Sequence, residues 1–97
     1  MQETKLIGYL NICRKANYLI IGGEKLEDYS KKLYLVLYDS NAGKSTLKIV
    51  QSLKDKGLKT IATENLGKLI AIENCKIVAI KNKQLSEIIE KLCEEKE

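Results

Sequence analysis

The chain has 97 residues, enough for one domain around one hydrophobic core and too few for two. It contains no His, which excludes a His-based metal site, a Cys–His nucleophile pair and a His general base. Seventeen basic residues against thirteen acidic ones give a net charge of +4. No apolar run is long enough to span a bilayer or to form a signal-peptide core, so a soluble, cytoplasmic protein with no membrane partner is expected.

Leu6, Leu10 and Cys13 fall at helical spacing, with Ile7 and Tyr9 beside them, which predicts a first helix over residues 4–16. Tyr18, Leu19, Ile20 and Ile21 make a short strand closed by Gly22 and Gly23, and residues 24–30 a short polar helix or turn. Residues 33–38 are apolar throughout, as expected of a central strand buried on both faces. Residues 44–56 predict a helix with Leu47, Val50 and Leu53 inward and Gly57 as the C′ residue. A third strand covers residues 59–62. Thr63 then caps a helix running to Ala71, with Leu66, Leu69 and Ile70 inward. Residues 76–80 are a fourth strand, and Asn82 caps a last helix whose stripe is Leu85, Ile88, Ile89, Leu92 and Cys93. Helices and strands alternate across short connections with no repeat or linker. The pattern predicts a single domain over residues 1–97, a three-layer α/β/α sandwich with about four strands and helices on both faces.

The charge is unevenly spread. Residues 87–97 hold five Glu and two Lys, or −3, so the first 86 residues hold fifteen basic and eight acidic groups, or +7. A basic body suits a polyanion, and an acidic terminal helix suits a basic protein partner. A plain Lys-rich surface would give the same excess: sixteen of the seventeen basic residues are Lys, and Arg14 alone offers bidentate recognition of phosphate. Cys13, Cys75 and Cys93 are odd in number and form no C-x-x-C pair, which reads as free thiols packed in a reducing compartment.

The stretch YLVLYDSNAGKSTLKIV, residues 34–50, has the look of a phosphate-binding loop. That loop requires a glycine five positions before the Gly43-Lys44 pair, where its backbone must turn around the phosphates. Here that position is Tyr38, and Asp39 would set a carboxylate against the phosphates. The strand over residues 76–80 ends in Lys81-Asn82 and lacks the acidic residue that would hold Mg²⁺. A strand, a polar turn and a helix start with Ser40 or Asn41 as N-cap account for the same residues. No nucleophile–base pair, metal cluster or intact phosphate loop is present, so no enzyme, cofactor or small-molecule substrate is expected.

Two further stretches resemble a known family. RKANYLIIGGE, residues 14–24, is similar to the R-R-A-G-K-L-V-x-G-x-E segment of bacterial ribosomal-protein paralogues related to the L-seven-Ae and L-thirty-e proteins. NLGKLIAIENCKIVAIKNKQLS, residues 65–86, resembles their E-L-G-x-A-I-G-x-x-x-x-x-V-V-A-V-x-D-x-x-F-A segment without a gap. Between them, LYLVLYDS stands where the family has an apolar strand ending near an Asp and a small residue. The likeness runs from about Leu6 to Ile89, with Leu66-Gly67 and the strand over residues 77–80 its most specific parts.

The resemblance implies an α/β/α sandwich that binds structured RNA, ribosomal RNA among the candidates, and typically kink-turns, through two loops at one edge. One is the turn Gly22, Gly23, Glu24 and Lys25, whose polar side chains would meet guanine edges. The other is the loop Ile72, Glu73, Asn74 and Cys75, which would pack on flipped-out bases. Lys15, Lys32, Lys44 and Arg14 are candidate phosphate contacts. The chain departs from the family where Glu24 replaces its Asn, Lys25 its Glu and Asp28 a Lys, and the span over residues 22–32 is about one helical turn shorter. Those changes favour a second reading, a relative that keeps the fold, has lost kink-turn binding and serves as a protein-interaction or dimerisation module.

Overall fold

In the computed structural model, which describes residues 2–27 and 32–94, the elements run α1 (Gln2–Lys15), β1 (Leu19–Ile21), α2 (Gly23–Glu27), β2 (Leu35–Asp39), α3 (Lys44–Asp55), β3 (Thr60–Thr63), α4 (Leu66–Ile70), β4 (Ile77–Ile80) and α5 (Lys83–Glu94). The four strands form one sheet in the order β1-β4-β2-β3. β4 is antiparallel to both neighbours, with Ile21 opposite Val78 and Tyr38 opposite Ile77, while β2 and β3 are parallel.

Alternation along the strands separates two apolar layers. Leu19, Leu35, Leu37, Val78 and Ile80 face α1, α4 and α5, meeting Leu6, Leu10, Cys13, Leu66, Leu69, Ile70 and Ile89. Ile20, Val36, Ile77 and Ala79 face α2 and α3, meeting Leu26, Val50 and Leu53. β2 and β4 are covered on both faces, which is why their sequences are apolar without alternation. The architecture is the three-layer α/β/α sandwich with helices on both faces.

Several sequence expectations shift. Thr63 does not cap α4; it is the buried last residue of β3, and the N-cap position belongs to Asn65 in a left-handed conformation. Neither Ser40 nor Asn41 caps α3, whose N-cap is Gly43 with no side-chain hydrogen bond. Leu47 stays 42% exposed and Ile88 38%, so each predicted stripe is one residue wider than the face that its helix buries. α3 instead contributes Ile49, half-buried against the sheet. Asn82 does cap α5, its Oδ1 accepting the Leu85 N–H at 2.9 Å. Gly57 does stand after the C-cap Lys56 with φ +92°, where glycine is the cheapest residue. α2 spans Gly23–Glu27, and the rest of its predicted range, Asp28 included, lies outside the described residues, as do residues 95–97 of the acidic terminus.

Candidate nucleic-acid interface

The register puts the C-terminal ends of β1, β2 and β3 and the N-terminal end of β4 at one rim of the sheet. The two segments singled out by the resemblance both lie there. Gly22 leaves β1 with φ +100° and donates its N–H to the carbonyl of Ile77, the first residue of β4, at 3.1 Å. Residues 72–75 lead directly into that end of β4. Gly23 packs so closely on α3 that a Cβ there would lie 2.6 Å from Ile49 Cδ1, which fixes the start of α2 beside α3.

The loop before β4 is held from several sides. The Ile72 N–H donates to the Gly67 carbonyl at 3.0 Å, and the Cys75 N–H donates to the Ile72 carbonyl at 3.3 Å. Ala71 and Asn74 are left-handed, with φ 58° and 63°. Gly67 lets the loop fold back on α4: a Cβ there would lie 2.7 Å from the Ile72 carbonyl oxygen. Cys75 turns inward, buried with its Sγ donating to the Ile77 carbonyl at 3.6 Å, and Ile72 packs half-buried against the core. The loop's exposed side chains are therefore Glu73 and Asn74, polar groups where the resemblance implies an apolar surface. With Asn65 and Lys76 they border an open cleft of about 340 Å³.

At the centre of the rim is Asp39, only 3% exposed. Its Oδ1 accepts the Asn41 N–H at 2.8 Å, and its Oδ2 accepts the Leu66 N–H at 3.1 Å and lies 3.6 Å from Lys76 Nζ. One carboxylate at the end of β2 thus holds its own following turn, supplies the cap that Asn65 does not give α4, and pairs with the residue that opens onto β4. The Asn41 N–H, followed by the Leu66 N–H and the Lys76 ammonium, lowers the Asp39 pKa against the opposing effect of burial. The sequence carries one sign of this role: an acidic residue ends an otherwise apolar strand. Read only as an obstacle to phosphate, it yields nothing about its partners.

The remaining candidates divide between the two ends of the sheet. Glu24 and Lys25 are exposed on α2 beside the rim, and Lys44 is exposed at the start of α3 just after the turn that follows β2. Arg14 and Lys15 belong to the last turn of α1, which precedes the opposite end of β1, and Arg14 donates from its guanidinium to the Ile70 carbonyl at 3.1 Å. Lys32 also lies at that far end, near the start of β2, with its ammonium 5.4 Å from the centre of the Tyr34 ring. The rim itself is not strongly cationic. Among the described residues, Lys25, Lys44, Lys68 and Lys76 stand among Glu24, Asp39, Glu64 and Glu73, and α3 with its C-cap carries a basic excess, Lys44, Lys48, Lys54 and Lys56 against Asp55.

Cys13 and Cys75 are buried free thiols whose pKa burial raises, and Cys93 is half-buried. Among the described residues no helix is long and apolar enough to cross a membrane.

Solved structures share this fold, among them the following two. A protein of unknown function from Bacillus halodurans matches with a TM-score of 0.79 at 20% identity, over 94% of this chain and 98% of its own. The Giardia lamblia 15.5kD RNA binding protein matches with a TM-score of 0.66 at 17% identity, over 96% of this chain and 85% of its own. At these identities the likeness establishes the fold. No protein-family model and no curated protein matches the sequence.

Proposed function

We propose that this chain is a non-enzymatic RNA-binding protein of the L-seven-Ae and L-thirty-e type, working in the cytoplasm on a structured RNA such as a kink-turn. The observation that carries the reading is the meeting of the turn over residues 22–25 and the loop over residues 72–75 at one rim, joined by the Gly22-to-Ile77 hydrogen bond. Its likeness in fold to an RNA-binding protein supports the reading. Glu24, Glu73 and Asn74 supply acceptors for base edges, and Lys25 and Lys44 supply cations beside them. Arg14 is left to the fold, since its guanidinium spans from α1 to the end of α4.

The test is a gel-shift titration with a kink-turn hairpin and a straight duplex RNA, each at two salt concentrations. Selective binding of the hairpin, abolished by Lys25→Glu and retained by Lys54→Glu, is expected. Equal losses in the two variants would remove the assignment of the turn. Weak binding of both RNAs with a steep salt slope would show a basic surface without recognition. No binding at low salt would leave the interaction-module reading, for which the altered Glu24 and Lys25 pair is the motive.

A further inference from the structure

We propose that the groove between α2 and α3 is a track for the phosphate backbone of the RNA held at the rim, an inference that rests on the function proposed above. The groove is an opening of about 440 Å³. Leu26, Ile49 and Leu53 line it, together with Lys44, Lys48 and Lys56 and the hydroxyls of Ser45 and Ser52. Among the described residues, no aromatic side chain lines it. Cations and hydroxyls beside an apolar floor fit a sugar–phosphate strand.

The spacing supports that occupant. Lys44, Lys48, Ser52 and Lys56 follow one another at four-residue intervals, about 6 Å apart along the helix axis. That rise is close to the distance between successive phosphates in an extended strand. Like charges four residues apart on a helix repel, so the Lys44–Lys48 pair weakens α3 unless an anion lies across it. None of these three lysines forms an ion pair with a described residue, whereas Lys59 and Lys76 do. The groove also begins where the candidate interface is: Lys44 opens α3 at the rim, and Gly23 packs on Ile49 at its wall. A rim with nearly balanced charge needs cations from elsewhere to hold a polyanion, and this row is continuous with it. A concave track suits a strand better than the plane of an anionic membrane.

The test compares the double variant K48Q/K56Q with K83Q/K91Q, which removes the same charge from α5. Both are titrated with a kink-turn hairpin and a duplex RNA over a range of salt. The groove variant is expected to lower the slope of log affinity against log salt by about 1.5, since each phosphate contact contributes about 0.7–0.9. The ratio of hairpin to duplex affinity should be unchanged, because phosphate contacts carry no shape information of their own. Its Tm should be unchanged or raised, as the repulsion along α3 is relieved. If wild type binds RNA and the two double variants change the slope equally, the track is wrong while the rim remains. If wild type binds no RNA at low salt, both proposals fail. Loss of binding to phosphatidylserine vesicles in the groove variant, with no change in its RNA slope, would assign the groove to a membrane and overturn the track.

Discussion

Replacing Asp39 by Asn tests whether one carboxylate organises the rim. The substitution keeps the shape, but one of the two oxygens that accept N–H groups becomes an amide donor. Either the Asn41 N–H, now at 2.8 Å, or the Leu66 N–H, at 3.1 Å, must then face an NH₂ group in a site that is 3% exposed. A hydrogen bond to a charged group contributes about 1.5–3 kcal/mol, and one such bond is lost, so Asp39→Asn should destabilise by about 1.5–3 kcal/mol. For a chain of this size that is a fall in Tm of about 6–24 °C. Lys76→Gln should cost no more than about 1 kcal/mol, because the Lys76 side chain is 41% exposed and its ion pair is screened. Urea unfolding followed by circular dichroism separates the two. The pH dependence follows from the lowered pKa of Asp39. A carboxylate with a depressed folded pKa contributes stability that is present above its unfolded pKa, about 3.9, and lost as pH falls through the folded value. Wild type should therefore lose stability below about pH 4 more steeply than Asp39→Asn. A loss under about 0.5 kcal/mol in Asp39→Asn, or equal losses in Asp39→Asn and Lys76→Gln, would refute the account of the rim.

Three further substitutions test the elements around that carboxylate. Gly67→Ala should cost about 1–3 kcal/mol and impair RNA binding, since the added methyl meets the backbone oxygen of Ile72 and must push the loop over residues 72–75 away. Gly23→Ala should cost less than about 1 kcal/mol in the same unfolding assay, because the obstructing atom is the movable end of the Ile49 side chain. Asn82→Ala should remove about 1 kcal/mol by leaving the Leu85 N–H without its cap, with RNA affinity unchanged in a titration at fixed salt.

The sandwich was legible because its signals are local. The unbroken apolar run in β2 marks burial on two faces, the Asn82 cap and Gly57 punctuate helices, and short connections force alternating elements to pack as layers. Errors arose where a neighbour, not the segment, decides. Thr63 has the chemistry of a cap, but parallel pairing with Asp39 draws it into β3. Leu47 and Ile88 sit on the apolar sides of their helices yet project past the edge of what those helices cover. The rim was legible in part. Gly22 and Gly23 mark a turn in the sequence, but that Asp39 reaches α4 depends on a contact between residues 27 positions apart. The basic row on α3 is visible as a four-residue period, and the groove that it lines forms only where α2 stands beside it.

Amide chemical-shift mapping during titration with a kink-turn hairpin tests whether the turn after β1 and the loop before β4 act as one surface on RNA. Gly22, Gly23, Glu24 and Lys25 should move in parallel with Glu73, Asn74 and Lys76, on one binding curve. Shifts confined to the far end of the sheet, around Lys15 and Lys32, or a response in only one of the two segments, would contradict it.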